Sequence, residues 1–364
     1  MPELERTPDR FMNQRFTSLQ AYRALAAMAV VLHHITSKFG AAHYFSDRMP
    51  QAFSWGRLGV DFFFVLSGFI IAETIRRAAE DSGRVTNFLR HRVLRIYPAF
   101  WLAFVPTLCV ALFAARSLHS PITTDPLELL RAALLLPFPD GGAPVIGVAW
   151  TLHHEVLFYA LATLTLAWPR LGVSLSILLL AGSLLPATEF PVSFLCSPLH
   201  WEFVMGIAVS FALHCQIRRI GALLSARYLR PIVLALLTVA MGAYTWHWRD
   251  QPVPDLVGVL CFAPLFTLLV ANSVKLNLKA PQLLVALGDS SYTLYLWHVP
   301  IVTPLIKLAF KLLPDASAGT LLTLTFAIAG ATVIAAHLIY LKLERPLVVA
   351  LSSWFGKRNT HAPA

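Results

Sequence analysis

The chain alternates between long apolar runs and short polar segments that are rich in arginine. A helix needs about 20 mostly apolar residues to cross the hydrocarbon layer of a membrane. The pattern predicts ten membrane-spanning helices, of which the fifth is the shortest, at residues 19–39, 57–75, 97–116, 147–167, 172–186, 199–217, 231–247, 255–274, 286–308 and 319–342. A further apolar piece, Leu127 to Phe138, is followed by prolines and glycines and is typical of an interfacial or re-entrant helix. Together these elements indicate an all-α, polytopic integral membrane protein.

The positions of the positive charges predict the orientation of these helices. Lys and Arg are enriched in the cytoplasmic segments of membrane proteins. With the N-terminus inside, twenty of them fall in cytoplasmic segments and eight on the opposite side. Both termini are therefore expected in the cytoplasm, with an N-terminal tail at 1–18, a membrane domain at 19–346 and a C-terminal tail at 347–364. The first apolar run has no convincing cleavage site, so we expect a retained helix and not a signal peptide.

Composition supports this class of protein and excludes others. The 364 residues are 57% apolar and only 13% charged, although the net charge is +10. A soluble domain typically has about a quarter of its residues charged. The basic residues alternate with predicted spans, so they cannot form one groove for nucleic acid. The four cysteines stand alone, without the spacing of a disulfide framework or a metal site.

The first predicted span contains two ionisable residues, Arg23 and His34. Eleven residues are close to three helical turns, so both side chains project from one face, about 16 Å apart along the axis. An ionisable group within a span is costly and marks a candidate functional site. His34 titrates near neutral pH and can act as a general base, whereas its neighbour His33 points about 100° away. The alternative is that Arg23 snorkels to the headgroups and His34 is a satisfied hydrogen-bond donor.

Two acidic residues in other spans are candidates for the same site. Asp61 starts the second span near the predicted depth of His34, where a carboxylate can orient the imidazole. The alternative for Asp61 is an acid in the first turn of a helix, favoured by the helix dipole. In the fourth span, His153, His154 and Glu155 point in three directions, which argues against one shared metal. Of these three, Glu155 is expected to line a cavity.

Polar groups at the cytoplasmic ends of other spans complete the set. Arg90, Arg92 and Arg95 precede the third span and can present several guanidinium groups to phosphates, although such runs often serve only topology. Asp289 is predicted to start the ninth span, and His298 to face either the bundle interior or the outer interface. Glu344 is expected to pair with a cytoplasmic arginine.

In combination, these segments resemble the acyltransferase 3 family of bacterial membrane acyltransferases, and the resemblance covers nearly the whole chain. The matching segments are Arg23 with ten residues before His34, Gly59 to Phe69, Arg92-x-x-Arg95 followed by Pro98, Trp150-Thr151-Leu152 with Glu155, Phe203 to Gly206, Asp289 to Pro300, and Glu344-x-Pro346. The Trp-Thr-Leu-x-x-Glu form is most similar to the exopolysaccharide-acetylating branch. Val156 stands where many members have a second acid.

The resemblance implies transfer of an acyl group, usually acetyl, from cytoplasmic acyl-CoA to a sugar hydroxyl of a glycan, lipid-linked or free, beyond the bacterial cytoplasmic membrane. It implies an essential arginine–histidine pair, no bound cofactor or metal, and contacts with membrane lipids and other polysaccharide-biosynthesis proteins. The expected residues are His34 as base with Asp61 or Glu155 orienting it; Arg23, Arg90, Arg92 and Arg95 for acyl-CoA; and Trp150, His153, His154, Ser67, Tyr292 and His298 as further cavity candidates.

Several alternatives stay open at this point. Direct transfer and an acyl-histidine relay are both compatible with these residues, and the donor can be acetyl-CoA or a longer acyl-CoA. A lipid or a small molecule can replace the glycan as acceptor. A transporter or flippase for a glycan or lipid intermediate would also have buried charges, but it would be expected to show repeated halves, which this sequence lacks.

Overall fold

The computed structural model describes residues 16–37, 53–78, 83–118, 125–140, 145–185, 189–214, 218–248 and 255–358. Every regular element in these ranges is a helix. The first seven are α1 (Thr17–Thr36), α2 (Gly59–Ala78), α3 (Arg84–Leu118), α4 (Pro126–Ala133), α5 (Trp150–Ala167), α6 (Pro169–Gly182) and α7 (His200–His214). The next seven are α8 (Arg218–Leu224), α9 (Leu229–Trp248), α10 (Ala263–Lys275), α11 (Gln282–Asp289), α12 (Ser291–Leu312), α13 (Ala318–Ile339) and α14 (Arg345–Arg358).

Short turns of other kinds join some of these helices. Tight 3₁₀ turns at Ser54–Leu58 and Gly147–Ala149 lead into α2 and α5. Wider π turns at Gly258–Phe262 and Tyr340–Glu344 precede α10 and α14. Because π turns insert an extra residue into a helix, they are frequent at functional sites.

Within the described residues, each of the ten predicted spans contains a helix, and seven segments are long and apolar enough to cross a membrane by length and composition. They are Ser54–Arg77, Val85–Phe113, Val192–His214, Leu229–His247, Asp255–Lys275, Ser291–Leu312 and Ala318–Trp354. The three others are α1, α5 and α6. Helix α6 has 14 residues, whereas α1 and α5 contain the charged and histidine residues that lower their apolar character.

Three boundaries differ from the sequence-based prediction. Asp289 was expected to start the ninth span, but it is the last residue of α11, and a new helix begins at Ser291. The basic segment before the third span is continuous with it in the 35-residue helix α3. The apolar piece after residue 126 is helical only to Ala133 and is capped by Asp125.

Helix α1 lies at the centre of the bundle, in contact with α2, α10, α11, α12 and α13. Glycines allow its closest neighbours to approach: Gly59 packs on Ala26, and Gly288 packs on Gln20. Since α1 is covered on several sides, its polar side chains are held within protein. The central helix therefore brings Arg23 and His34 into the interior of the bundle.

Candidate active site

A cavity of about 650 Å³ lies between α1, α2, α3, α5 and α12. Its polar wall contains two arginines and one carboxylate, and its apolar wall is formed mainly by aromatic and branched side chains. The lining residues are Arg23, Val60, Phe63, Phe64, Leu66, Ser67, Ile70, Arg95, Ile96, Thr151, Leu152, Glu155, Ser291, Tyr292 and Tyr295. Of the sequence-predicted residues, the cavity thus unites Arg23, Arg95, Glu155, Ser67 and Tyr292.

The two arginines of the cavity share an acidic neighbour. Arg23 is buried and donates a hydrogen bond to Gln20 Oε1 at 3.2 Å. Glu344, in the π turn before α14, interacts electrostatically with both Arg23 and Arg95, and it accepts a hydrogen bond from Thr293. The expectation that Glu344 pairs with an arginine stays a prediction. Its negative charge lies near two guanidinium groups that come from different helices.

A second set of hydrogen bonds fixes the opposite wall. Glu155 accepts a hydrogen bond from the Tyr159 hydroxyl, one helical turn further on. The hydroxyl groups of Thr151 and Tyr295 lie 2.8 Å apart, and Tyr295 also donates to the Val148 carbonyl at 2.9 Å. These contacts hold the side chains of α5 and α12 in fixed positions, as a preorganised site requires.

His34 lies outside the lining of this cavity and packs against His298, with ring centroids 4.8 Å apart. His298 is fully buried, so the expectation that it faces either the interior or the interface is resolved in favour of the interior. His34 Nδ1 is 2.9 Å from the Val30 carbonyl, and His298 Nδ1 is 2.7 Å from the Tyr295 carbonyl. A carbonyl only accepts, so Nδ1 carries the hydrogen in both rings. Each neutral imidazole consequently presents a bare Nε2, the atom that acts as a base.

Two aromatic side chains stand between the cavity and this histidine pair. The rings of Phe63 and Tyr295 have centroids 6.4 Å apart, and those of Tyr295 and His298 are 5.8 Å apart. Both Phe63 and Tyr295 line the cavity on their other side. They separate the region of Arg23 from the region of His34.

The structure does not bring Asp61 to His34, which corrects the prediction that Asp61 orients the imidazole. Asp61 faces α7 and the π turn, where its carboxyl group meets that of Glu202. A Cβ atom added to Gly258 would overlap Asp61 Oδ1 and lie 3.4 Å from Glu202 Oε1. The carboxyl groups of Asp61 and Glu202 thus both approach Gly258. Successive helix positions point about 100° apart, and this offset turns Asp61 away from the face that Val60 presents to the cavity.

The predicted arginine cluster is divided by the geometry of α3. Arg95 lines the cavity, but Arg92 is buried elsewhere: it stacks on Phe88 and Tyr159, at 5.5 and 5.3 Å from the ring centroids, and donates to Thr74 Oγ1 at 2.8 Å. Arg90 is half-buried and does not line the cavity. We therefore assign Arg92 to helix packing, because cation–π contacts and a buried hydrogen bond occupy its guanidinium.

Three other candidates from α5 also lie outside the cavity lining. His153 packs beside Phe138, and His154 Nδ1 lies 3.2 Å from His200 Nε2. The Trp150 ring packs edge-on against His154. Consecutive residues on a helix face different directions, so only Glu155 of this polar run reaches the cavity, as expected.

Some residues of the site were not singled out from the sequence. Tyr295 and Phe63 resemble any aromatic residue of an apolar span, and only the fold shows that they lie between two polar regions. Glu202 had a detectable signal, because it is an acid in the first turn of an otherwise apolar helix.

Several known proteins are similar in sequence to this chain. The chain is 29% identical to Exopolysaccharide production protein ExoZ of Rhizobium meliloti over 83% of this chain and 93% of that protein. It is 26% identical to Acyltransferase MdmB of Streptomyces mycarofaciens, with 96% and 95% covered. It is also 24% identical to Putative peptidoglycan O-acetyltransferase YrhL of Bacillus subtilis, covering 78% of this chain and 48% of that protein.

No solved structure matches the chain. The acyltransferase domain family matches residues 16–341, which include every residue of the cavity and both histidines. The chain therefore belongs to the acyltransferase 3 family and is a multi-pass membrane O-acyltransferase.

Proposed function

We propose that this enzyme transfers an acyl group, acetyl in the simplest case, from cytoplasmic acyl-CoA to a sugar hydroxyl of an exopolysaccharide or another cell-surface glycan. The observation that carries the proposal is the arrangement of α1. At one level of this helix, Arg23 joins Arg95 in a cavity, and about 16 Å along the axis His34 meets His298. This arrangement suits a donor whose phosphates lie far from its thioester. The arginines at one level of α1 can bind the phosphates, and the histidines at the other level can act at the thioester.

The cavity has the chemistry expected for the donor. Guanidinium groups bind phosphate oxygens through paired N–H donors, and Arg23 and Arg95 enter the cavity from two different helices. The apolar wall, which includes Phe64 and Leu66, suits the slim pantetheine arm. In the orientation that the positive charges predict, this end of the enzyme faces the cytoplasm, where acyl-CoA is made.

The histidine pair supplies the base. We infer that His34 Nε2 removes the proton from the acceptor hydroxyl while the hydroxyl oxygen attacks the thioester carbonyl carbon. The carbon–sulfur bond then breaks, and the His34 imidazolium returns the proton to the CoA thiolate, leaving an ester and a thiol. His298 Nε2 is buried and has no hydrogen-bond partner among the described residues. It is placed to accept a hydrogen bond from that imidazolium and so stabilise it.

The nature of the acceptor rests on the relatives. One is named for exopolysaccharide production and another for peptidoglycan O-acetylation. Both names refer to glycans outside the cytoplasmic membrane. A glycan hydroxyl that approaches His34 from the extracytoplasmic side would complete the reaction on the face opposite to the donor.

The test measures O-acetyl groups on the purified polysaccharide by NMR in a strain that lacks the gene. Wild-type enzyme and a His247→Ala control, an exposed position at the end of α9, should restore the signals. His34→Ala should not restore them, although the protein reaches the membrane in equal amount. Restoration by His34→Ala would refute the assignment of the base.

A second measurement separates the alternatives in purified, reconstituted enzyme. Release of CoA thiol from acetyl-CoA should require added glycan acceptor. If thiol release instead requires a lipid extract, the acceptor is a lipid. If no acceptor supports thiol release and the glycan fails to reach the surface in the deletion strain, the chain is a transporter.

A further inference from the structure

A second cavity lies between α6 and α7, against the last turns of α2. Helix α6 packs on α5, and α7 packs on α2, so the two outer helices leave a slot whose floor is formed by α2 and α5. Its volume is about 1330 Å³. The floor residue Phe158 is buried, whereas Ile177 and Phe211 on the rims are 61% and 73% exposed. The slot is therefore open to the surroundings of the protein at membrane depth.

The slot is apolar along its length because its polar residues are engaged elsewhere. Thr165 Oγ1 donates to the Leu161 carbonyl at 2.8 Å, and Ser176 Oγ donates to the Gly172 carbonyl at 2.8 Å. The His200 ring bonds to His154 on the far side of the wall. Little is left for a polar ligand to bind in the body of the slot, which instead suits a hydrocarbon chain.

Charge is confined to one end, where α2 and α7 terminate. Glu73 accepts a hydrogen bond from Arg76 at 3.0 Å and lies 3.8 Å from Arg77 Nη2. Its other oxygen lies 2.7 Å from the Ser210 hydroxyl and 3.5 Å from His214 Nδ1. Two arginines against one carboxylate leave a net positive charge at this end of the slot. Arg76 is half-exposed, and a guanidinium has five N–H donors, of which Glu73 occupies only part.

We propose that this slot binds one anionic glycerophospholipid, with an acyl chain between α6 and α7 and the headgroup phosphate at Arg76 and Arg77. The charge decides the class of lipid, because a net positive end of an otherwise apolar slot favours a headgroup with net negative charge over a zwitterionic one. The bound lipid fills the gap between two helices that otherwise contact each other little. It thereby supports α2, which also carries Ser67 and Phe63 of the active-site cavity.

The experiment uses full-length enzyme in nanodiscs of phosphatidylethanolamine and phosphatidylglycerol at 3:1. Lipid retained after brief detergent extraction is identified by native mass spectrometry. Wild-type enzyme should retain one lipid molecule, with a ratio of phosphatidylglycerol to phosphatidylethanolamine about fivefold above that of the bilayer (about 5:3 in place of 1:3), as expected for one net basic charge near an anionic headgroup. The Arg76→Gln/Arg77→Gln variant should retain lipid at the bulk ratio.

Two further variants test whether lipid retention depends on the position of the charges and on the width of the slot. Arg227→Gln/Arg230→Gln changes two exposed arginines three residues apart and should leave the fivefold enrichment intact. Ala72→Phe narrows the slot without touching its charges and should reduce the retained lipid from one molecule to none. Equal retention of both lipids by wild-type enzyme, or equal enrichment in the Arg76→Gln/Arg77→Gln variant, would show that the slot holds only bulk bilayer lipid.

Discussion

Helices α2 and α7 cross at two glycines, and replacing one of them should separate the helices. A Cβ atom added to Gly68 would overlap the Phe203 carbonyl oxygen and lie 2.7 Å from its carbonyl carbon. Likewise, a Cβ atom added to Gly206 on the facing helix would lie 2.7 Å from the Phe69 backbone nitrogen. These neighbours are backbone atoms, so a change of side-chain rotamer cannot relieve the overlap. Small residues at such crossings allow close helix packing in membranes.

The loss of stability expected for Gly68→Ala follows from these distances. Carbon contacts become ordinary at 3.4 Å, so the helices must move apart by at least about 0.7 Å. Overpacking a tight interior costs about 1–3 kcal/mol. Gly330 in α13 is the matched control, because its Cβ would meet nothing within 4 Å. Gly330→Ala should stabilise the enzyme by about 0.5–1 kcal/mol, since alanine is the better helix former.

Thermal unfolding in nanodiscs, followed by tryptophan fluorescence, measures the difference. The melting temperature of Gly68→Ala should fall, and that of Gly330→Ala should stay level or rise. Because α2 also carries Ser67 and Phe63 of the cavity wall, acyl transfer by Gly68→Ala should fall even below its melting temperature. Equal melting temperatures for the two variants would refute the close-packing argument.

Three further predictions concern the site itself. Arg95→Lys should raise the KM for acyl-CoA about tenfold, because lysine cannot form the paired hydrogen bonds of a guanidinium. Arg92→Lys should lower thermal stability and leave this KM nearly unchanged. A larger increase in KM for Arg92→Lys than for Arg95→Lys would contradict the different roles assigned to the two arginines. His298→Ala should lower kcat about 10- to 100-fold without changing the affinity for acyl-CoA; unaltered turnover would remove His298 from the mechanism. Phe63→Ala should raise kcat/KM for butyryl-CoA relative to acetyl-CoA by about tenfold, as two methylene groups gain room, and an unchanged ratio would show that Phe63 does not limit acyl length.

The sequence predicted the helical membrane class and the face of α1 that matters, because both depend on local patterns. Apolar run lengths locate helices, and a helical repeat of 3.6 residues puts Arg23 and His34 on one side. The choice of Glu155 among three consecutive polar residues also matched the lining of the cavity. Of the ten predicted spans, α1 and α5 are too polar, and α6 with 14 residues is too short, to count as membrane-crossing helices by length and composition.

The partners of each polar residue could not be predicted, because they depend on how helices rotate against each other. Asp61 has a plausible depth for His34, yet its contacts are Glu202 and Gly258, across a crossing that glycines set. Arg92 lies three residues before Arg95, offset by only about 60° around the helix, yet its side chain packs on Phe88 and Tyr159. Depth along a span is encoded locally, whereas direction around it is a property of the packed bundle.

The aromatic pair Phe63 and Tyr295, between the two polar regions, affects how well the membrane remains electrically insulating. An enzyme that places Arg23, Arg95 and Glu155 on one side of the pair and His34 and His298 on the other risks a conducting path for protons and ions. The Phe63 and Tyr295 rings interrupt that path with hydrocarbon, and the Tyr295 hydroxyl is tied to Thr151 and Val148. The cell can thus keep a transmembrane voltage across a protein that has charged groups on one side of the aromatic pair and two histidines on the other.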